Sequence, residues 1–207
     1  MEVSPSAVRI AIFASGAGSN TRKIIDYFKV RDDSAKGKKP VRVALIVSNK
    51  AGAGVNDIAR AEKIPLLLLD KEKFLRQNGY ADELRVQKID LIVLAGFLWK
   101  IPSTLIHAFE GRIINIHPAL LPKFGGRGMY GMHVHQAVIQ AREKESGISI
   151  HYVDEVYDHG KVIFQARCPV DPSDSPQTLA EKIHVLEHLH YPKVIEELID
   201  VQNIVKR

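Results

Sequence analysis

The chain has 207 residues, of which 45% are hydrophobic and 26% charged, so it can bury a core without disulfides and belongs to neither the disordered nor the fibrous proteins. Its net charge is +5, but the Lys and Arg residues are dispersed, which favours weak attraction for anionic small molecules over nucleic-acid binding. Because it has one cysteine, no leader-like start and no apolar run near the roughly 20 residues of a membrane span, we expect a cytoplasmic protein without a membrane partner.

Strand-like and helix-like segments alternate along the chain. The predicted strands are Val8–Ala14, Val41–Ser48, Pro65–Leu69, Asp90–Leu94, Ile113–His117, Gly147–Val153 and Val162–Val170. The predicted helices are Thr21–Lys29, Asp57–Lys63, Lys71–Lys88, His133–Lys144 and a last helix from Ser175-Pro176 to about Ile199. The pattern predicts an α/β fold with a doubly wound, mostly parallel, Rossmann-like sheet in three layers, forming one domain over residues 1–207. Functional residues are expected in the loops that follow the strands.

The first of these loops, Ser15–Asn20, joins a strand to a helix and consists of small residues. Its backbone N–H groups can approach an anion at the positive end of the helix, which favours a phosphate site. An NAD site is disfavoured, because Thr21 replaces the third glycine and Ser48-Asn49 lack the ribose-binding acid; no Gly-Lys-Ser/Thr follows for a Walker A loop. A tight turn without a ligand is the alternative.

Asn115 and His117 lie at the end of a predicted strand, just before Pro118. Residues two apart on a strand project to the same face, so the amide and the imidazole point into one pocket. Transfer of an acyl or formyl group to an amine needs an N–H donor for the oxyanion and a group that titrates near neutrality. This pair supplies both, although a buried histidine satisfied by backbone is the alternative.

Asp158 lies in the turn between the last two predicted strands, where Gly160 permits a tight backbone. A carboxylate that reached inward from this turn to His117 would favour the imidazolium and raise the pKa of His117. A turn with a solvated carboxylate is the alternative, and spacing does not decide between the two.

The other histidines form two pairs, His133 with His135 and His184 with His188. Neither pair has a third ligand at a suitable spacing, so we expect polar helix faces and no metal. Periodicity alone makes Glu187 a solvent-exposed helix former.

Four segments together resemble the phosphoribosylglycinamide formyltransferases, folate-dependent enzymes of purine biosynthesis. These segments are Ser15–Asn20, Leu94–Phe97, Asn115–Pro122 and Asp158–Val162. The resemblance covers about residues 8–199 and implies formyl transfer from 10-formyltetrahydrofolate to the amine of glycinamide ribonucleotide. It further implies a phosphate-substrate half over about residues 8–100 and a folate and catalytic half over about residues 95–199.

Residue by residue, the resemblance implies that Gly18, Ser19 and Asn20 hold the phosphate of the ribonucleotide and that Glu187 approaches its glycinamide end. The segment expected to enclose the folate comprises Leu98, Trp99, Lys100 and Ile101, together with the Asp154–Asp158 loop. The expected catalytic residues are Asn115 and His117, which face the formyl carbon, and Asp158, which orients and charges His117. Protonated His117 would stabilise the oxyanion with Asn115, and no metal or nucleoside triphosphate is expected.

Three features depart from the commoner family pattern. Trp99 stands where relatives often carry Arg, which favours stacking on the folate over hydrogen bonding. The Gly125–Gly131 segment is longer than usual and rich in glycine, so it could act as a lid. Ile148 replaces a frequent Thr beside Ser149 and removes one hydroxyl from the expected catalytic region.

Two other functions compete with the transferase. A hydrolase that removes the formyl group from 10-formyltetrahydrofolate would use the same Asn115, His117 and Asp158, with water as acceptor. A noncatalytic sensor of phosphate ligands would keep the fold without any turnover. The expected partners are small molecules only, and the chain is expected to be a monomer or a homodimer.

Overall fold

The computed structural model describes residues 7–34, 38–76, 78 and 80–202, so the single domain predicted over residues 1–207 lies partly outside the described residues. The strands are β1 Val8–Ala14, β2 Val41–Ser48, β3 Leu66–Leu68, β4 Leu91–Leu94, β5 Ile113–His117, β6 Glu145–Tyr152 and β7 Val162–Pro169. The helices are α1 Ser19–Ser34, α2 Val55–Ala61, α3 Lys71–Arg76, α4 Ala81–Val86, α5 Ser103–Ala108, α6 Met132–Gln140 and α7 Pro176–Gln202. In this part of the chain, no helix combines the length and apolarity of a membrane span.

All seven strands form one sheet in the order β3-β2-β1-β4-β5-β6-β7. The five strands from β3 to β5 run parallel, while β6 and β7 are antiparallel to their neighbours. The winding reverses between β1 and β4, which is where open α/β sheets bind ligands. The predicted doubly wound, mostly parallel sheet is confirmed.

The sheet is covered on both faces, as its strand patterns predict. Along β1, Ile10, Ile12 and Ala14 join a core beneath α1, α2, α6 and α7, while Ala11 and Phe13 join a second core beneath α3, α4 and α5. Successive side chains of a strand point to opposite faces, so a strand buried on both sides must be apolar throughout. The helix–sheet–helix arrangement confirms the three predicted layers.

The single helix predicted over Lys71–Lys88 is wrong, because the structure has two short helices there. Tyr80 takes a left-handed conformation with φ of 64° immediately before α4, and its hydroxyl accepts a hydrogen bond from the Asp70 N–H at 2.9 Å. The apolar periodicity runs across the break because Phe74 of α3 and Leu84 of α4 pack into the same core.

Helix α5 has no counterpart in the sequence prediction, since six residues are too few to display a helical period. The start of α7, in contrast, is confirmed at Pro176. The Ser175 hydroxyl accepts from the Thr178 N–H at 3.2 Å, and the Thr178 hydroxyl accepts from the Ser175 N–H at 3.0 Å. This reciprocal cap satisfies two donors of the first turn.

An ion-pair network joins the end of α1 to α7, far from the loops that follow the carboxyl ends of the strands. Glu196 accepts hydrogen bonds from the Tyr27 hydroxyl, from Arg31 Nε at 3.0 Å and from Lys38 Nζ at 2.7 Å. Burial alone would raise the pKa of Glu196, but these three donors outweigh it and lower the pKa to about 2. The Arg31 side chain is only 7% exposed, so its positive charge is stabilised by the carboxylates of this network more than by water.

Replacing Glu196 by Gln is expected to lower the free energy of unfolding at pH 7 by about 1–3 kcal/mol, because a nearly buried Arg31 loses a charge partner. A carboxyl group with a lowered pKa stabilises the fold above its ordinary pKa. The difference from wild type should therefore shrink as the pH falls from about 4.5 through about 2. Urea denaturation across this range measures it, with exposed Glu197→Gln as control. Equal destabilisation by both variants would contradict the prediction.

Candidate active site

A cleft of about 400 Å³ opens at the carboxyl ends of β4 and β5. Four of its lining residues are those predicted to enclose the folate, Leu98, Trp99, Lys100 and Ile101. The same cleft is lined by Asn115, His117 and Asp158. The structure therefore brings the predicted folate segment and the predicted catalytic residues together in one cavity.

His117 is only 3% exposed and is held between two partners. Its Nε2–H donates to the Phe124 carbonyl oxygen at 2.7 Å, and its Nδ1 lies 3.6 Å from Asp158 Oδ2. Burial lowers the pKa of His117, and the opposing effects of the Asp158 charge and the Phe124 carbonyl are smaller. Asp158 thus acts in the predicted direction, but the expectation of an overall raised pKa is wrong because burial dominates.

Asp158 reaches inward, and its side chain is only 11% exposed, so the alternative of a solvated turn carboxylate is wrong. Its Oδ2 accepts the Gly126 N–H at 2.9 Å, and its Oδ1 lies 3.6 Å from His151 Nε2. Burial raises the pKa of Asp158, but the interactions with His151, His117 and the Gly126 N–H outweigh it and leave the pKa lowered. The site therefore contains a buried, charged carboxylate.

The tight turn around Asp158 requires Gly160. A Cβ atom on residue 160 would lie 1.9 Å from the carbonyl oxygen of Tyr152, so no larger residue fits there. The close approach of the two strands at this point directs the Asp158 carboxylate toward the cleft.

Sequence reasoning missed His151, which lies opposite Asn115 in the β5–β6 pairing. The Asn115 Nδ2–H donates to His151 Nε2 at 3.1 Å, while His151 Nδ1–H donates to the Tyr152 carbonyl at 2.8 Å. Asn115 is thereby oriented with one N–H engaged and the other available. A histidine within the predicted strand Gly147–Val153 was the one signal for this role.

The Ser15–Asn20 loop packs against the edge of the cleft. The Ser15 hydroxyl accepts the Leu98 N–H at 3.0 Å, which links this loop to the folate segment. Gly18 has a φ of 80°, and a Cβ atom on it would lie 2.9 Å from Ile58 Cδ1, so the loop conformation requires glycine. Helix α1 begins at exposed Ser19, with its first backbone N–H groups at the loop.

Asn20 and Glu187 contact each other across the core between α1 and α7. The Asn20 Nδ2–H donates to Glu187 Oε2 at 2.9 Å, and the two residues are 8% and 7% exposed. The interpretation of Glu187 as a surface helix former is therefore wrong. Burial raises the pKa of Glu187, and the Asn20 amide opposes this rise. The structure places Glu187 beside the start of α1, next to the loop expected to hold the phosphate.

The three features that depart from the family pattern lie in different surroundings. Trp99 packs against Phe74 and Phe97, with ring centroids 5.8 and 6.4 Å away. Ile148 is fully buried in the core, so its side chain faces away from that of Ser149 and the expected loss of a catalytic hydroxyl is wrong. Residues 126–130 of the glycine-rich segment line the cleft.

The two histidine pairs behave differently. Burial lowers the pKa of His135 to about 4, and the rings of His184 and His188 stack with centroids 6.1 Å apart. Among the residues that the structure describes, no group of three or more His, Cys, Asp or Glu side chains is arranged to hold a metal ion.

The sequence model of the formyl transferase family matches residues 8–195. The chloroplastic phosphoribosylglycinamide formyltransferase of Arabidopsis thaliana is 41% identical over 196 residues, which cover 92% of this chain and 65% of the relative. The Bacillus subtilis phosphoribosylglycinamide formyltransferase is 36% identical over 199 residues, covering 94% and 96%. The trifunctional purine biosynthetic protein adenosine-3 of Drosophila melanogaster is 37% identical, and the chain spans 14% of its length.

Solved structures agree with these relatives. The crystal structure of phosphoribosylglycinamide formyltransferase from Bacillus halodurans superposes with a TM-score of 0.81 at 37% identity, covering 94% of this chain and 96% of that one. Glycinamide ribonucleotide transformylase 1 from Geobacillus kaustophilus gives 0.81 at 37% identity, covering 93% and 98%. The chain spans less than two thirds of the plant relative, but nearly all of the bacterial proteins.

Replacing Asp158 by Asn is expected to lower the pKa of His117 further, because the negative charge that opposes burial is lost. NMR titration of the His117 ring in both proteins measures this shift. Asp154→Asn is the matched control, since Asp154 bonds to the Val156 N–H and to His159 and not to His117. A His117 pKa that stays unchanged or rises in Asp158→Asn would contradict the electrostatic assignment.

Proposed function

This chain belongs to the formyl transferase family, and on that premise we propose that it transfers the formyl group of 10-formyltetrahydrofolate to the amine of glycinamide ribonucleotide in purine biosynthesis. The relatives named as phosphoribosylglycinamide formyltransferases support this substrate pair. One observation carries the proposal. The amide of Asn115, the buried imidazole of His117 and the buried carboxylate of Asp158 meet in one cleft, beside the loop that leads into α1.

Asn115 supplies the hydrogen bond to the developing oxyanion. One N–H of its amide is engaged by His151, so the ring fixes the amide plane and leaves the second N–H to donate to the formyl oxygen in the proposed reaction. A donor oriented before the reaction costs no reorganisation when the charge develops.

His117 and Asp158 together move the proton of the reaction: His117 accepts it from the attacking amine and gives it to the folate nitrogen as the bond from that nitrogen to the formyl carbon breaks. Nε2 of His117 donates to Phe124, so Nδ1 is the nitrogen that takes up a proton, and the Asp158 carboxylate 3.6 Å away stabilises the imidazolium. Because burial lowers the pKa of His117, the ring starts neutral, as a base. This replaces the sequence-based expectation of a His117 that is protonated from the outset.

The ribonucleotide is proposed to bind at the Ser15–Asn20 loop. Backbone N–H groups of Gly18, Ser19 and Asn20 at the start of the 16-residue helix α1 suit a phosphate, since they are unsatisfied within the helix and carry its positive dipole end. The Asn20 side chain is already bonded to Glu187, so its main chain remains for the phosphate. Glu187, at this junction, approaches the glycinamide end.

The folate is proposed to occupy the cleft between residues 98–101 and the Asp154–Asp158 loop. A volume of about 400 Å³ lies within the range of small-molecule sites, and the half-buried ring of Trp99 offers a flat surface for a pterin. Bound there, the folate supplies the activated formyl carbon. Residues 126–130 close one side of the cleft and could move as a lid.

Residues 1–207 act as one formyltransferase domain, with the ribonucleotide half over about 8–100 and the folate and catalytic half over about 95–199. The protein works in the cytoplasm as a monomer or a homodimer, on small molecules, without a metal, nucleic acid or membrane. The 10-formyltetrahydrofolate hydrolase alternative has no support among the relatives reported above.

Formation of tetrahydrofolate from 10-formyltetrahydrofolate is expected to require glycinamide ribonucleotide. Asn115→Ala should reduce turnover by roughly 10²–10³, the scale for one lost oxyanion donor, with the fold intact. A spectrophotometric assay with and without the ribonucleotide measures both effects, and exposed Gln140→Ala is the control. Folate turnover without the ribonucleotide would indicate the hydrolase, and a loss below about threefold would remove Asn115 from the mechanism.

Gly18→Ala is expected to raise the Michaelis constant for the ribonucleotide by roughly tenfold and leave that for the folate unchanged. The new Cβ would strain a positive φ and press on Ile58, displacing the backbone from the phosphate. Gly52→Ala, where an added Cβ has nothing within 4 Å, is the matched control. A constant unchanged in Gly18→Ala would place the phosphate elsewhere.

A further inference from the structure

Two polar side chains of the antiparallel strands lie beneath the segment that follows β5. Ser149 of β6 and Gln165 of β7 are direct partners in the strand pairing. Ser149 is fully buried, and Gln165 is half-buried. Neither lines the cleft of the proposed reaction. Polar groups at such positions need hydrogen-bond partners, and theirs lie in the segment from Ala119 to Leu121.

The hydrogen bonds form a small closed network. The Ser149 hydroxyl donates to the Ala119 carbonyl at 2.7 Å and accepts the Leu121 N–H at 2.9 Å. Gln165 Nε2 donates to the Ser149 hydroxyl at 2.8 Å and to the Leu121 carbonyl at 3.0 Å. The Ser149 hydroxyl thus uses its donor and both acceptor positions. Both backbone polar groups of Leu121 are tied to the sheet.

This network anchors the carbonyl that orients the catalytic histidine. Leu121 precedes Phe124 by three residues, and the Phe124 carbonyl accepts the Nε2–H of His117 at 2.7 Å. The partner of one ring nitrogen decides which tautomer a histidine adopts and which nitrogen is left to take up a proton. The position of this segment therefore determines whether Nδ1 of His117 faces Asp158.

We infer that Gln165 is a positioning residue for the proposed reaction, holding Leu121 through its carbonyl and through the Ser149 hydroxyl so that Phe124 fixes the ring of His117. The Gln165 amide has the two N–H donors and the length to satisfy both acceptors from β7. Leu at this position would leave the Leu121 carbonyl without that donor, and Glu would place an acceptor against two acceptors. The kinetic consequence rests on the proposed function, whereas the effect on the histidine ring does not.

The test compares Gln165→Leu and Gln165→Glu with wild type by two readouts. In ¹⁵N NMR, the His117 ring of wild type is expected to be the Nε2–H tautomer with slow exchange of that proton, and both variants should show mixed tautomers and faster exchange. In the formyl-transfer assay, kcat should fall by roughly 10- to 100-fold, the cost of a small misplacement of a catalytic group, with both Michaelis constants within about twofold.

Arg167→Leu is the matched control, because Arg167 lies two residues further along the same face of β7 and bonds to Glu145 instead. It should leave the His117 signals and kcat unchanged. The inference is overturned if the His117 tautomer and its exchange rate are the same in wild type and both Gln165 variants, or if Arg167→Leu changes them equally. Gln165→Glu keeps the size of the side chain, so the comparison with wild type can be made with this variant alone if Gln165→Leu does not fold. Absence of formyl transfer in wild type would overturn the proposed function, while the NMR comparison would still decide the role of Gln165.

Discussion

A carboxylate removed from water raises the free energy of the fold unless donors or positive charges surround it, and the Asp158 carboxylate is the most consequential case in this protein. Three separate segments surround it: the Gly126 N–H after β5 donates to it, and the rings of His117 at the end of β5 and of His151 in β6 lie 3.6 Å from its oxygens. The position of this one buried charge therefore depends on all three segments. That convergence creates the cleft and sets the orientation of Asn115, which bonds to the same His151.

The parallel half of the sheet brings the two proposed substrate sites together. Because β1 lies beside β4 and β4 beside β5, their carboxyl ends meet at the same edge, where the winding of the sheet reverses. The Ser15 hydroxyl accepts the Leu98 N–H across this edge, so the loop proposed to bind the phosphate and the segment proposed to bind the folate share a direct hydrogen bond. The proposed amine acceptor and formyl donor are thus held by neighbouring loops of one rigid sheet, which favours their orientation for attack.

Local patterns predicted the parts of the fold and site that depend on local geometry. The apolar runs of β1, β2 and β5 mark strands buried on two faces, and the spacing of Asn115 and His117 alone places both on one face. Contacts between residues that are distant in sequence could not be predicted from these local patterns. His151 acquires its role only through the β5–β6 register, and the depth of burial that lowers the pKa of His117 depends on packing by several elements. The break near Tyr80 was hidden because both helices bury the same face.

The candidate site lies where the parallel part of the sheet meets the antiparallel strands β6 and β7, and the antiparallel pairing contributes to it. Parallel strands present only their carboxyl ends to the ligand crevice, whereas β6, running the opposite way, presents the middle of its length beside the end of β5. His151 and Ser149 consequently lie level with Asn115 and His117 as direct cross-strand partners. The reaction site is therefore supported laterally by side chains on a continuous strand, which holds angles more firmly than a loop does. The proposed role of His117 as a base depends on such support, because the position of Asp158 decides whether the imidazolium is stabilised.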